Sequence, residues 1–144
     1  MMLVRDIMTT NVELVDPNIK LSEAAKKMRD LDVGFLPVGE NDRLVGTVTD
    51  RDIAVRGIAE GKDPKSENIR DIMTPDVHYC YANQDIDEAA RIMEDNQVRR
   101  LVVLNDDKRL VGIYSVGDIA TRTDNPDLSS EVLEEVSKPK RAKE

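Results

Sequence analysis

The sequence predicts an α/β fold made of two copies of one β-α-β-β-α unit, packed sheet to sheet about a pseudo-twofold axis. Three observations carry that expectation: a long internal repeat, apolar patterns that switch between strand and helix periods, and an almost wholly aliphatic set of core residues. Val4-Arg5-Asp6-Ile7-Met8-Thr9 returns 65 residues later as Ile69-Arg70-Asp71-Ile72-Met73-Thr74. Glu23-Ala24-Ala25 with Met28 returns as Glu88-Ala89-Ala90 with Met93, and Leu36 and Val38 as Leu101 and Val103, at the same spacing. After one inserted residue, Arg43-Leu44-Val45-Gly46 matches Arg109-Leu110-Val111-Gly112, and Asp52-Ile53-Ala54 matches Asp118-Ile119-Ala120, now 66 residues apart.

Each copy opens with a short extended piece, Val12 to Val15 or Val77 to Tyr81. The spacing of Leu21, Ala24, Ala25 and Met28 then predicts a helix over 21–31, with its counterpart over 86–96. Asp85 with Glu88 has the form of a capping box, whereas Lys20 is a poor cap for the first copy. Phe35 to Val38 and Val45 to Val48 flank the turn residues Gly39-Glu40-Asn41-Asp42 and predict a hairpin; Leu101 to Leu104 and Val111 to Tyr114 predict its twin. A second helix over 50–60 ends at Gly61 and Pro64, and Val116 to Arg122 form its counterpart. These elements divide the chain into repeats over 1–61 and 69–123, a polar linker over 62–68, and a C-terminal helix with a charged tail over 124–144. Leu128, Val132, Leu133 and Val136 lie at helical spacing, a candidate surface for a partner subunit, and the tail from Lys138 has the composition of a disordered segment.

Composition narrows the function classes. Lys and Arg total 21 against 29 Asp and Glu, a formal charge of −8 that works against nucleic acid and anionic lipid. Aromatic residues are 3 % of the chain, too few to build stacking platforms for single strands. No apolar run approaches the roughly 20 residues of a membrane span, and Arg5 and Asp6 interrupt the opening segment, so a cytoplasmic location is expected. The lone Cys80 cannot form an internal disulfide, and with a single His78 no metal centre and no Cys-His or Ser-His-Asp catalytic set is expected.

The sharpest local feature is Gly46-Thr47-Val48-Thr49-Asp50-Arg51-Asp52, echoed by Gly112-Ile113-Tyr114-Ser115-Val116-Gly117-Asp118. Taken alone, Thr49 with Asp52 and Ser115 with Asp118 are capping boxes, each worth about 0.5–2 kcal/mol to its helix. Position adds a second reading, because strand ends that run into helix N-termini offer N–H groups to an anion. Two like charges at 4 Å repel by about 4 kcal/mol at an effective dielectric of 20, so a phosphate would avoid Asp52 and Asp118. A ribose diol suits those carboxylates, leaving the Thr49 and Ser115 hydroxyls for phosphate. Arg99 and Arg100 supply positive charge for the phosphate, although neighbours in a strand point to opposite faces, so that one at most aims at it. Ribose with phosphate means a nucleotide.

These residues resemble the paired cystathionine-β-synthase (CBS) domains, or Bateman module, from about Val4 to Arg122. The resemblance rests on the two Asp-Ile-Met-Thr segments, the Glu-Ala-Ala helices, Leu36-Pro37-Val38 and the two Gly-x-x-Ser/Thr-x-x-Asp segments. It implies a non-catalytic regulatory fold that holds AMP, ADP, ATP or another adenosyl ligand such as S-adenosylmethionine in a cleft between the repeats, with no required cofactor. By position it places adenine beside Val12, Pro37, Val77 and Val102. It also implies a homodimer acting on a client protein as an energy or stress sensor; the alternative is an interaction module without a ligand. The copies differ: Pro37 becomes Val102, and Asp50-Arg51 becomes Val116-Gly117.

Overall fold

The structure, a computed structural model, describes residues 1–41 and 43–140. In chain order the elements are α1 (Val4–Ile7), α2 (Leu21–Leu31), β1 (Phe35–Glu40), β2 (Arg43–Thr49), α3 (Asp50–Asp52), β3 (Tyr79–Tyr81), α4 (Ile86–Asn96), β4 (Arg100–Leu104), β5 (Leu110–Ser115), α5 (Val116–Arg122) and α6 (Pro126–Ser137). A π-type stretch, Ile53–Ile58, continues α3, and a 3-10 turn, Ile69–Asp71, precedes the second Asp-Ile-Met-Thr segment. The chain forms two compact units, one contiguous (Val12–Val77) and one split between Met1–Asn11 and the chain from His78 onward.

Both units are built on the same plan, so one account of the forces serves for each. In the contiguous unit β1 and β2 form an antiparallel hairpin, with Val15 bridging Val38 on one edge and Thr74 bridging Thr47 on the other. Leu36, Val38 and Val48 point from this hairpin into a core with Leu21, Ala24, Met28, Ile69 and Ile72. In the split unit β4 pairs antiparallel with β5 and parallel with β3, and Thr9 bridges Ile113 at the far edge. Leu101, Val103 and Tyr114 there meet Val4, Ile7, Ala89, Ala90, Met93 and Ile119. Alternate strand residues fill each core, as a strand with period two requires.

Each Asp-Ile-Met-Thr segment therefore packs with the hairpin of the other sequence copy: Val4–Ile7 with β4 and β5, Ile69–Thr74 with β1 and β2. Two glycines make this possible. A Cβ on Gly46 would stand 2.7 Å from the Thr74 carbonyl oxygen, and one on Gly112 2.7 Å from the Met8 sulfur and 2.9 Å from the Thr9 carbonyl oxygen. The repeated Gly and the repeated Met-Thr are thus two sides of one contact.

Helices α2 and α4 have the predicted bounds, and both end on a left-handed residue, Asp32 (φ 56°) and Gln97 (φ 52°). Their starts differ from expectation. Asp85 caps α4 through Asp87 N at 2.7 Å rather than through a box with Glu88, and the Ile86 N–H donates to the Met2 carbonyl. At α2 the weak cap is offset by the linker, whose Glu67 and Pro64 carbonyls accept from Leu21 N and Ser22 N. Asp42 of the first hairpin turn and residues 141–144 of the charged tail lie outside the described residues. Helix α6 seats Leu128, Val132 and Val136 against its own unit, leaving Leu133 46 % exposed. The buried Gln97 side chain donates to the Glu135, Lys138 and Pro139 carbonyls and so closes its C-terminal end.

Two strand-to-helix corners as the candidate ligand site

Both Ser/Thr-x-x-Asp segments fold as closed capping boxes. Thr49 N donates to Asp52 Oδ2 (2.9 Å) while Asp52 N donates to Thr49 Oγ1 (3.0 Å). Ser115 N and Oγ both donate to Asp118 Oδ2 (3.0 and 3.1 Å), and Asp118 N donates back to Ser115 Oγ (3.2 Å). The N–H groups anticipated for an anion are spent at the contiguous corner. Asp50 N goes to the Gly34 carbonyl and Arg51 N to Asp50 Oδ1, because the neighbouring strand and the Asp50 side chain both reach the helix start.

The second oxygen of each carboxylate separates the copies. Asp118 Oδ1 accepts from the Thr9 hydroxyl at 3.0 Å and lies 3.8 Å from Arg122 Nε. Among the described residues the nearest cation to Asp52 Oδ1 is Arg56 Nε, at 4.0 Å, beyond hydrogen-bond distance. The hydroxyls differ in the same sense. Ser115 gives its proton to Asp118, whereas Thr49 Oγ1 serves as an acceptor, leaving its proton for another group.

Sequence reasoning passed over Thr9 and Arg122. Arg56 and Arg122 each lie four residues after the site Asp and each reach back to the Asp-Ile-Met-Thr segment, Arg56 to the Ile72 carbonyl and Arg122 to those of Ile7 and Met8. The signal was the repeated Asp-x-x-x-Arg at the same spacing as the rest of the second halves.

Strand register sorts the remaining candidates. Phe35 pairs with Thr49 and Pro37 with Thr47, so these four share the hairpin face opposite Leu36 and Val48. In the split unit Arg100 pairs with Ser115 and Val102 with Ile113, again on the face opposite the core. Val102 is buried there, as is Pro37, while Val12 and Val77 are half-buried. Arg100 thus shares a face with Ser115, and Arg99 does not: its guanidinium donates to Ser137 Oγ at the end of α6 (3.3 Å). Val12, Pro37, Thr49, Asp52 and Val77 belong to the contiguous unit; Arg99, Arg100, Val102, Ser115 and Asp118 belong to the split one.

His78 is half-buried and Cys80 fully buried, and burial pushes the Cys80 thiol up to about 12. Among the described residues no three His, Cys, Asp or Glu side chains gather into a group that could hold a metal ion. No helix among them is long and apolar enough to cross a membrane.

The family model described as CBS domain matches residues 4–56 and again 69–124. This chain is a pair of CBS domains. As such it is a regulatory module and not an enzyme. It is 43 % identical over 117 residues to Hypoxic response protein 1 of Mycobacterium tuberculosis, covering 81 % of each chain. A crystal structure of Hypoxic Response Protein I with two coordinated zinc ions is 41 % identical, with a TM-score of 0.72 over 85 % of this chain and 100 % of that one. The CBS pair of protein MJ0100, in complex with 5′-methylthioadenosine and S-adenosyl-L-methionine, is 30 % identical, with a TM-score of 0.74 over 83 % of this chain and 94 % of that one. CBS pairs of this kind therefore include one that binds adenosyl ligands.

Proposed function

We propose that this CBS pair is a sensor for an adenosyl ligand, an adenine nucleotide or a relative such as S-adenosylmethionine, and that the Thr49–Asp52 corner is its principal ribose site. The observation that carries the reading is the uncommitted half of that corner. Asp52 Oδ1 accepts from no N–H or O–H among the described residues, and the Thr49 hydroxyl keeps a proton to give. A vicinal diol can donate to that carboxylate oxygen while Thr49 donates to a phosphate or carboxylate of the same ligand. Pro37, on the Thr49 face of the hairpin, supplies an apolar surface for the base. At the other corner Arg100 lies across from Ser115 and supplies a cation for phosphate. The adenosyl-bound structure of MJ0100 supports the ligand class.

Isothermal titration with AMP, ADP, ATP, 5′-methylthioadenosine and S-adenosylmethionine tests this. Heat from at least one of them, lost in Asp52→Asn and kept in Arg99→Ala, is the expected result. Silence with all five would leave the two segments as helix caps and the chain as an interaction module.

A further inference from the structure

The threonine that closes each Asp-Ile-Met-Thr segment meets a different fate in the two copies. Thr9 and Thr74 are repeat equivalents, and the backbone seats them alike. Thr9 exchanges both backbone hydrogen bonds with Ile113 (2.8 and 2.9 Å), and Thr74 exchanges both with Thr47 (2.8 and 2.9 Å). Each therefore sits directly across from a strand residue that points away from the core, and its own side chain points the same way. In the split unit that direction carries the Thr9 hydroxyl to Asp118 Oδ1, 3.0 Å away. Asp52 follows Thr47 by the same five positions that separate Asp118 from Ile113, so Thr74 stands to Asp52 as Thr9 stands to Asp118.

Yet Thr74 makes no such bond. Among the described residues neither its hydroxyl nor that of Thr47 is held by another group, and both, on half-buried residues, remain open to solvent. The twin face is closed instead: Ile113 stands where Thr47 does, and the Thr9 and Ser115 hydroxyls are both committed to Asp118. On the contiguous hairpin Thr74, Thr47 and Thr49 line one face, with protons to give, beside the uncommitted Asp52 oxygen. The donors matter because a carboxylate only accepts. It takes the protons of a diol and leaves the lone pairs of the diol oxygens without a partner.

We infer that Thr74 is a further ligand-binding residue, whose hydroxyl donates to a ribose oxygen while the ribose gives its proton to Asp52 Oδ1. The inference rests on the Thr49–Asp52 corner being the ribose site. One duplicated threonine then has two roles. In the split unit the Thr9 hydroxyl takes the place beside the carboxylate that a ligand hydroxyl would need. In the contiguous unit Thr74 leaves that place open and adds a donor at its edge, so a cis-diol finds both the acceptor and the donor it requires.

The test is isothermal titration with the tightest binder among AMP, ADP, ATP, 5′-methylthioadenosine and S-adenosylmethionine, and with its 2′-deoxy and 3′-deoxy counterparts. For the wild-type protein, loss of the ribose hydroxyl that Thr74 meets should weaken binding about tenfold. Thr74→Val is isosteric and keeps both backbone bonds. It should weaken the parent compound about fivefold and cut the discrimination against the deoxy compound to about twofold. Thr74→Ser should restore both values, and Thr9→Val should leave both unchanged at the tighter site. Binding that is lost in Asp52→Asn yet indifferent to Thr74→Val would overturn the role of Thr74 and leave the ribose site standing. Tighter binding in Thr74→Val would also overturn it, because Thr74 would then compete for Asp52 as Thr9 does for Asp118. Silence of the wild-type protein with all five compounds would remove the ribose site and this role together.

Discussion

Removing Asp118 should cost the protein far more than removing Asp52, although the two residues are repeat equivalents with the same capping role. Either change to Ala removes the N3 half of a capping box, leaving the N-cap in place, at a cost of about 1 kcal/mol. For Asp52 the loss stops there, because its second oxygen accepts no hydrogen bond among the described residues. Asp118→Ala also strands the Thr9 hydroxyl and the Ser115 hydroxyl, both partly buried donors. An unsatisfied buried donor costs about 1–3 kcal/mol, so the two changes should differ by about 2 kcal/mol after partial relief by water. Urea unfolding followed by far-ultraviolet circular dichroism measures this, and at a slope of about 2 kcal/mol per molar the midpoints should separate by about 1 M. Thr9→Val supplies the control: its cost should couple to Asp118→Ala by about 1 kcal/mol or more and be additive with Asp52→Ala. Equal midpoints for the two Asp variants, or additivity of Thr9→Val with both, would refute the argument.

Two further outcomes follow from contacts of the same core. Gly112→Ala drives a methyl against the Thr9 carbonyl at 2.9 Å, which backbone cannot evade as the Met8 side chain can, so about 1–3 kcal/mol should be lost from the urea stability, with Gly112→Ser no better. Cys80 keeps its proton in the fold up to about 12, whereas the unfolded thiol loses it near 9.0. Between those values the folded state binds more protons, so stability should fall as pH rises, and Cys80→Ala should flatten that fall in pH-dependent urea midpoints.

What the sequence disclosed was local. The bounds of α2 and α4 are legible because four apolar residues at helical spacing lie within one short stretch, whereas the left-handed residues that end them, Asp32 and Gln97, carry no such signal. The hairpins are legible from two apolar runs around turn residues. The exchange of the Asp-Ile-Met-Thr segments is not, since Gly46 meeting Thr74 and Gly112 meeting Thr9 are contacts between residues far apart in sequence. The pattern over 50–60 predicts a helix but carries no signal of its widening. In the structure it widens into π-type turns with bonds from Ala59 N to the Ala54 carbonyl and from Lys62 N to the Gly57 carbonyl, beside the close approach of Gly57 to Leu21. At the candidate site the residue types were legible and their commitments were not: the Thr9 bond that sets Asp118 apart from Asp52 spans 109 positions.

That bond bears on how a duplicated site divides its labour. A ligand diol that engaged Asp118 would have to displace the Thr9 hydroxyl, and a hydrogen bond to a charged group is worth about 1.5–3 kcal/mol. The same diol at Asp52 displaces no hydrogen bond among the described residues, so the two corners should differ by about tenfold or more in affinity for one ligand. Titration should therefore fill one site per chain first, and Thr9→Val should strengthen the weaker one. A ligand that bound both corners alike in the wild-type protein would show that Thr9 yields Asp118 freely, and the division between a structural and a binding carboxylate would then fail.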